Sequence, residues 1–244
     1  MPLHTVAPQR LYRQIADQLR QLMVSGEFAL GSRLPAERDL ALQLGVSRPS
    51  VREALIALEV EGMIEVRTGS GIYVQRRDAP SKSASLAQIE TDANTPADWG
   101  PLEVMSARLL IEAEVAALAA THAQKSDLKA IKNSLQQMKQ DAARDEEPRE
   151  GDEAFHAAIA KACGNSVLLD TVQRYWQARN GPLFERLGDY FEHTESWQAA
   201  IAEHQQVLQA IEAHDAAAAR KAMQKHLKQA HKRYSASWRH APAR

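Results

Sequence analysis

Asp152 and His156 stand four residues apart in the segment DEAFHAAIAKAC, so on a helix their side chains point the same way. Phe155, Ile159 and Cys163 recur on that face, which turns a carboxylate and an imidazole toward an apolar core. His204 sits inside the stripe Ile201, Leu208, Ile211, and His226 inside the stripe Ala219, Ala222, Met223, Ala230. Taken singly, each histidine reads as a buried neutral imidazole hydrogen-bonded to a neighbour. Taken together they read differently, because burying four such groups without a common partner is costly. Three imidazoles and one carboxylate, supplied by three helices, can converge on a divalent cation. The other histidines (His4, His122, His193, His214, His231 and His240) fall off the apolar stripes or in loops.

A cation held this way, with open positions, can accept a carboxylate from solution. Arg108 offers a second grip. Met105 and Leu109 face inward beside it, and Glu112 follows one turn on. The spacing leaves two readings open: an ordinary surface ion pair, or an arginine turned into a pocket. Trp176, Gln177 and Arg179 in YWQARNGPLF form another candidate wall, with Trp176 itself read as core. A metal-dependent enzyme would need a general base near the ion. Glu153 is adjacent to Asp152 but points about 100° away on a helix, and no other base stands out.

A different chemistry occupies the first third of the chain. Arg48 and Arg52 are four apart, with Ser47 and Ser50 beside them, and Arg38 lies shortly before. Guanidinium forks suit guanine O6 and N7, and short hydroxyls suit phosphates. The alternative is a solvated helix face with ordinary ion pairs.

Elements must hold these groups in place. In LPAERDLALQLGVSRPSVREALIALEVEGMIEVRTGSGIYV, Pro35 suits the first turn of a short helix, and Leu40, Ala41 and Leu44 give it one apolar side. Gly45 permits a sharp exit, and Ser47 can cap a second helix carrying Val51, Ala54, Leu55 and Leu58. Ile64/Val66 and Ile72/Val74 alternate as strands around Thr68-Gly69-Ser70-Gly71. Leu11, Ile15, Leu19, Leu22 and Met23 mark a leading helix that stops near Gly26. Helix, turn, helix and hairpin make a winged helix-turn-helix, whose second helix enters the DNA major groove. From Arg76 to about Asp98 no apolar period persists, which predicts a linker. Beyond it about six helices follow, with breaks at Pro148, Gly164-Asn165, Asn180-Gly181-Pro182 and His214-Asp215. The expected architecture is therefore mainly α: a winged head at 1–77, a linker at 78–98, an all-α bundle at 99–236 and a tail at 237–244.

Hydrophobic residues make up 44% of the chain and aromatics only 5%, which suits helices packed through small side chains. The net charge of −1 argues against a strongly basic DNA binder. Residues 1–77 hold ten arginines against eight acids, about +2, so affinity would rest on local arginines and on two heads acting together. One cysteine, Cys163, excludes an intrachain disulfide and reads as a buried thiol. No apolar signal core or membrane-length run is present, so a cytoplasmic location is expected.

LPAERDLA, VSRPSVREALIALEVEGMIEVR and GSGIYV resemble the DNA-binding domain of GntR-family bacterial transcription regulators. The resemblance implies that Arg38, Arg48 and Arg52 read bases or clamp the groove. It implies that Ser47, Ser50 and Thr68 touch phosphates, and that Gly69 lets the wing tip approach the minor groove. DEAFH, EHQQVLQAI and AMQKHL resemble the metal-site segments of the FadR-type (FCD) C-terminal domain. That resemblance implies a metal held by Asp152, His156, His204 and His226: zinc first, with nickel or manganese as alternatives. It also implies a small carboxylate effector gripped by Arg108; Arg179, on the other candidate wall, is the second effector-binding candidate. WGPLEVMSARLLIEAEVAALAATHA is most similar to regulators of hexuronate catabolism, while regulators for lactate, glycolate, pyruvate and galactonate share the scaffold. The expected protein is a homodimeric regulator, a repressor by analogy, that leaves a palindromic operator when the acid binds.

Overall fold

A computed structural model of the 244-residue chain describes residues 10–75 and 99–235. The linker expected at 78–98, the tail at 237–244, His4 and His240 lie outside the described residues. Two compact units form, and the chain passes from one to the other more than once.

The first unit opens with α1 (Leu11–Val24), which buries Tyr12, Ile15, Ala16 and Leu19 at helical spacing. Tyr12 rather than Leu11 starts that stripe, since Leu11 is half exposed. Next comes α2 (Glu37–Leu44); Pro35 precedes its N-cap Ala36 instead of sitting in its first turn. Gly45 closes α2 in the left-handed region at φ +66°, a conformation glycine adopts without strain. Ser47 caps α3 (Arg48–Val60), its Oγ accepting from the Ser50 N–H at 3.2 Å. Strands β1 (Ile64–Arg67) and β2 (Gly71–Val74) pair antiparallel, Ile64 opposite Val74 and Val66 opposite Ile72. One further helix joins this unit from far along the chain: α8 (Pro182–Phe191), all but its last residue. Glu59 of α3 accepts from Arg186 Nη2 at 2.9 Å and from Tyr190 Oη at 2.7 Å, and also from the Val66 N–H at 3.1 Å. One buried carboxylate thus ties α3, the wing and α8 together.

The second unit contains α4 (Pro101–His122), α5 (Lys125–Ala143), α6 (Arg149–Ala162), α7 (Ser166–Arg179), α9 (Thr194–Glu212) and α10 (Ala216–Tyr234). These are the six helices the spacing predicts; α8 is the addition, too short between its breaks to be seen. α5 packs on α6 and α9, α6 on α7, and α9 on α10. Contact between α5 and α6 is close at Gly151, where a Cβ would stand 2.7 Å from Met138 Cγ and 3.1 Å from the Met138 nitrogen. Asp152 is the next residue, so this approach sets its position. Gly151→Val should wedge the helices apart and cost about 1–3 kcal/mol, seen as a lower urea midpoint. An unchanged midpoint would show that α5 yields freely there. Cys163 is buried, as expected. His122 and His214 bond the carbonyls of Cys163 and Ala120, and His193 caps α9, so these three are tied to the backbone. No helix among the described residues is long and apolar enough to cross a membrane.

Candidate metal centre, anion cavity and DNA-facing surface

α6 presents Asp152 and His156 on one buried face, α9 presents His204, and α10 presents His226. His156 Nε2 lies 3.1 Å from His204 Nε2, and Asp152 Oδ1 lies 3.3 Å from His204 Nε2 and 3.6 Å from His156 Nε2. The His226 ring joins them, 4.2 Å from the His204 ring centre, and the three imidazoles bring one nitrogen each within 4.8 Å of one another. Donors about 2.1 Å from one ion stand about 3.0–3.5 Å apart at octahedral to tetrahedral angles. The His156–His204 and Asp152–His204 distances fall in that range, the others above it or near it.

Hydrogen bonding assigns the ring nitrogens. His156 donates from Nδ1 to Glu112, and His226 donates from Nδ1 to Glu203 Oε2 at 2.8 Å, so both Nε2 lone pairs point inward. Burial pushes His204 well below its ordinary pKa, with the neighbouring His226 and His156 adding to the effect. Burial likewise lowers His226, against the opposing pull of Glu203. The Nε2 lone pairs of His156 and His226 thus lie beside His204 and Asp152, whose Oδ1 makes no hydrogen bond. A cation is the partner that such a donor set fits.

Asp152 and His226 also line a cavity that is partly open to solvent. Arg108, Arg179 and Arg233 stand on its wall with Ser196, Trp197 and Tyr234. Arg108 is buried, and both readings of it hold in part. It does pair with Glu112, Nε to Oε1 at 2.5 Å, but the pair lies in the core, not on the surface. Its Nη2 makes no hydrogen bond. Burial alone would raise the Glu112 carboxyl, but Arg108 and His156 outweigh it and hold Glu112 well below the usual carboxylate range. Arg179 Nη1 reaches the second oxygen of Asp152 at 3.1 Å and Nη2 reaches Glu192 at 3.0 Å. Trp176 is core, as read, yet both Arg108 and Arg179 stack on its ring at 4.5 Å. Glu192, Glu203, Arg233 and Trp197 stand at this cavity or cluster without being singled out by the sequence, and Glu112 is singled out there only as the partner of Arg108. Only Arg233 leaves a trace there, seven residues beyond His226 and so on the same helix face.

In the winged unit Arg38, Ser47, Arg48, Thr68 and Gly69 are exposed and Ser50 is half-buried, its Oγ 2.8 Å from that of Ser47. Gly69 takes φ +75° with open space around it at the wing tip. Arg52 departs from the expectation. It is fully buried, with Nε and Nη2 on the two oxygens of Glu37 at 3.1 and 2.6 Å, so as folded it locks α3 to α2. From Val51 to Leu58 the helix is buried on all sides, which leaves only its first turn open.

Over residues 11–74 the sequence matches the bacterial regulatory proteins of the gntR family, and over residues 103–229 the FCD domain. It is 37% identical over 222 residues to the Uxu operon transcriptional regulator of Escherichia coli (strain K12), covering 90% of this chain and 84% of that protein. It is 37% identical over 224 residues to the Exu regulon transcriptional regulator of the same strain, covering 90% and 83%. A regulator named for the L-lactate dehydrogenase operon of that strain is 35% identical over 230 residues, covering 93% and 87%. All three are regulators by name, and none is an enzyme.

Proposed function

The chain belongs to the gntR family of bacterial regulatory proteins and carries an FCD domain, and from that premise we propose a cytoplasmic transcription regulator released from DNA by a small sugar acid. The observation that carries the acid-binding half is the cavity wall. Asp152 and His226 of a cation cage share that wall with Arg108, whose Nη2 is buried without a partner. In this reading the cage holds one divalent ion, zinc first among candidates. When bound, it would supply Lewis acidity toward an anionic oxygen. Arg108 would orient the carboxylate by a charge-assisted hydrogen bond, and Arg179 would fix Asp152 through its 3.1 Å bond to that residue's second oxygen. The names of the Uxu and Exu relatives support a hexuronate. The lactate-operon relative keeps a second reading alive, a two- or three-carbon hydroxy or keto acid.

On DNA, the exposed first turn of α3 supplies the reading surface, with Arg48 toward bases and Ser47, Ser50 and Thr68 toward phosphates. A single head presents one recognition helix, so a homodimer on a short inverted repeat is the assembly that suits it, and repression follows by analogy. Arg48→Ala should cost about 1–3 kcal/mol of operator binding and relax preference at one or two base pairs. Arg52→Ala should instead lower the melting temperature of the winged unit, through the loss of the Glu37 clamp. Footprints that change at single base pairs for Arg52→Ala and not for Arg48→Ala would reverse the assignment. The acid half is tested by screening organic acids for release of the protein from DNA upstream of its own gene.

A further inference from the structure

Two of the three caged histidines are backed in the same way. His156 reaches Glu112, and Glu112 takes Arg108; His226 reaches Glu203, and Glu203 takes Arg233 through both oxygens, at 3.1 and 3.2 Å. Each chain runs imidazole, carboxylate, guanidinium, from the ion cage to the wall of the cavity, which both Arg108 and Arg233 line. The first chain comes from α6 and α4, and the second from α10 and α9. Trp197, 7% exposed, lines the same cavity, and its indole N–H has no acceptor. An acceptor entering the cavity would find a fixed guanidinium and a free donor on its wall.

We propose that Glu203 is a positioning residue for both sites, turning His226 Nε2 to the ion and fixing Arg233, and that Arg233 is a second residue gripping the effector. This rests on the reading of the cavity as the acid site. The carboxylate sets which ring nitrogen carries the proton, which is how a residue behind a ligand controls metal affinity. The same carboxylate removes the freedom of Arg233, so less ordering remains to be done when an anion binds. With Arg108 on the carboxylate, Arg233 and Trp197 are left for the hydroxyl or carbonyl oxygens further along the acid. A two- or three-carbon acid would lack those oxygens.

The test uses the full-length protein, zinc affinity by competition with a chromophoric chelator, and calorimetric titration of the zinc-loaded protein with glucuronate and galacturonate. Glu203→Gln should weaken zinc by about 10–100-fold, and Glu203→Asp, which keeps the charge, should recover part of that loss. Arg233→Ala should leave zinc within about twofold and weaken the better acid by about tenfold or more. A merely structural ion pair would lower the melting point of the zinc-free protein without separating these two readouts. Wild-type zinc affinity in Glu203→Gln overturns the positioning role; if that variant does not fold, wild-type zinc affinity in Glu203→Asp overturns it instead. Wild-type acid affinity in Arg233→Ala, when Arg108→Ala loses it, overturns the second grip alone. If Arg108→Ala is also unaffected, or neither acid binds the wild type, the acid reading itself fails and the second grip falls with it, while the zinc result still decides the role of Glu203.

Discussion

His204→Ala should bind zinc more than about 100-fold more weakly than the wild type. Removing a residue behind a ligand costs about 10–100-fold, and in the proposed centre His204 would be a direct donor. Its Nε2 is the one nitrogen within 3.3 Å of both His156 and Asp152 donors. Its other nitrogen, Nδ1, is buried without a hydrogen bond, so the ring has no competing role to explain its place in the core. In the wild type, metal at 100 times its dissociation constant adds roughly 2.7 kcal/mol of stability, and a strong chelator removes it. The chelator should therefore lower the melting point of the wild type and leave that of His204→Ala unchanged. Elemental analysis of fresh, tag-free protein should find about one transition-metal ion per chain. Finding none, with the same content in the variant, would sink the metal centre.

The inward turn of Asp152, His156, His204 and His226 is legible in the sequence because a helix has a fixed period: a polar group at an apolar position of a stripe must point inward, whatever it meets there. What they meet is not legible. Glu112 and His156 stand 44 positions apart, and Glu203 and His226 stand 23 apart on different helices, so only packing brings them together. Glu112 is visible as the partner of Arg108, but not as the partner of His156. Arg52 misleads because four-residue spacing places it under Arg48, while the run VREALIAL leaves no open side beyond the first turn. That run is the signal, and it argues for burial. α8 escapes because Pro182 and the Gly188 within it look like loop punctuation, although Leu183, Phe184 and Leu187 are all buried. Its bond to Glu59 spans 127 positions and has no local signature.

A monocarboxylate sugar acid should raise the melting point of the zinc-loaded protein by about 5–10 °C at 100 times its dissociation constant, and Arg108→Ala should abolish the rise. The arginines and the ion select an anion. Arg108, Arg149, Arg179 and Arg233 stand against Glu112, Asp152, Glu192 and Glu203, four positive against four negative. Neutral imidazoles, which metal ligation requires, add nothing, and a divalent ion would bring the total to +2. A monocarboxylate would leave +1 and citrate −1, so the thermal shift decides between them. Polar partners then divide the monoanions: Ser196, Trp197 and Tyr234 on the cavity wall suit an acid with several hydroxyls better than lactate or glycolate. A panel of glucuronate, galacturonate, fructuronate, galactonate, lactate, glycolate and citrate separates these outcomes in one thermal-shift experiment. The largest shift from lactate or glycolate would move the assignment to the short acids. Arg108→Ala leaves Glu112 buried with only His156 to hold it, so its melting point without acid should fall as well. The decisive quantity is therefore the acid-induced rise above each variant's own baseline, and an undiminished rise in Arg108→Ala would show that the anion binds elsewhere.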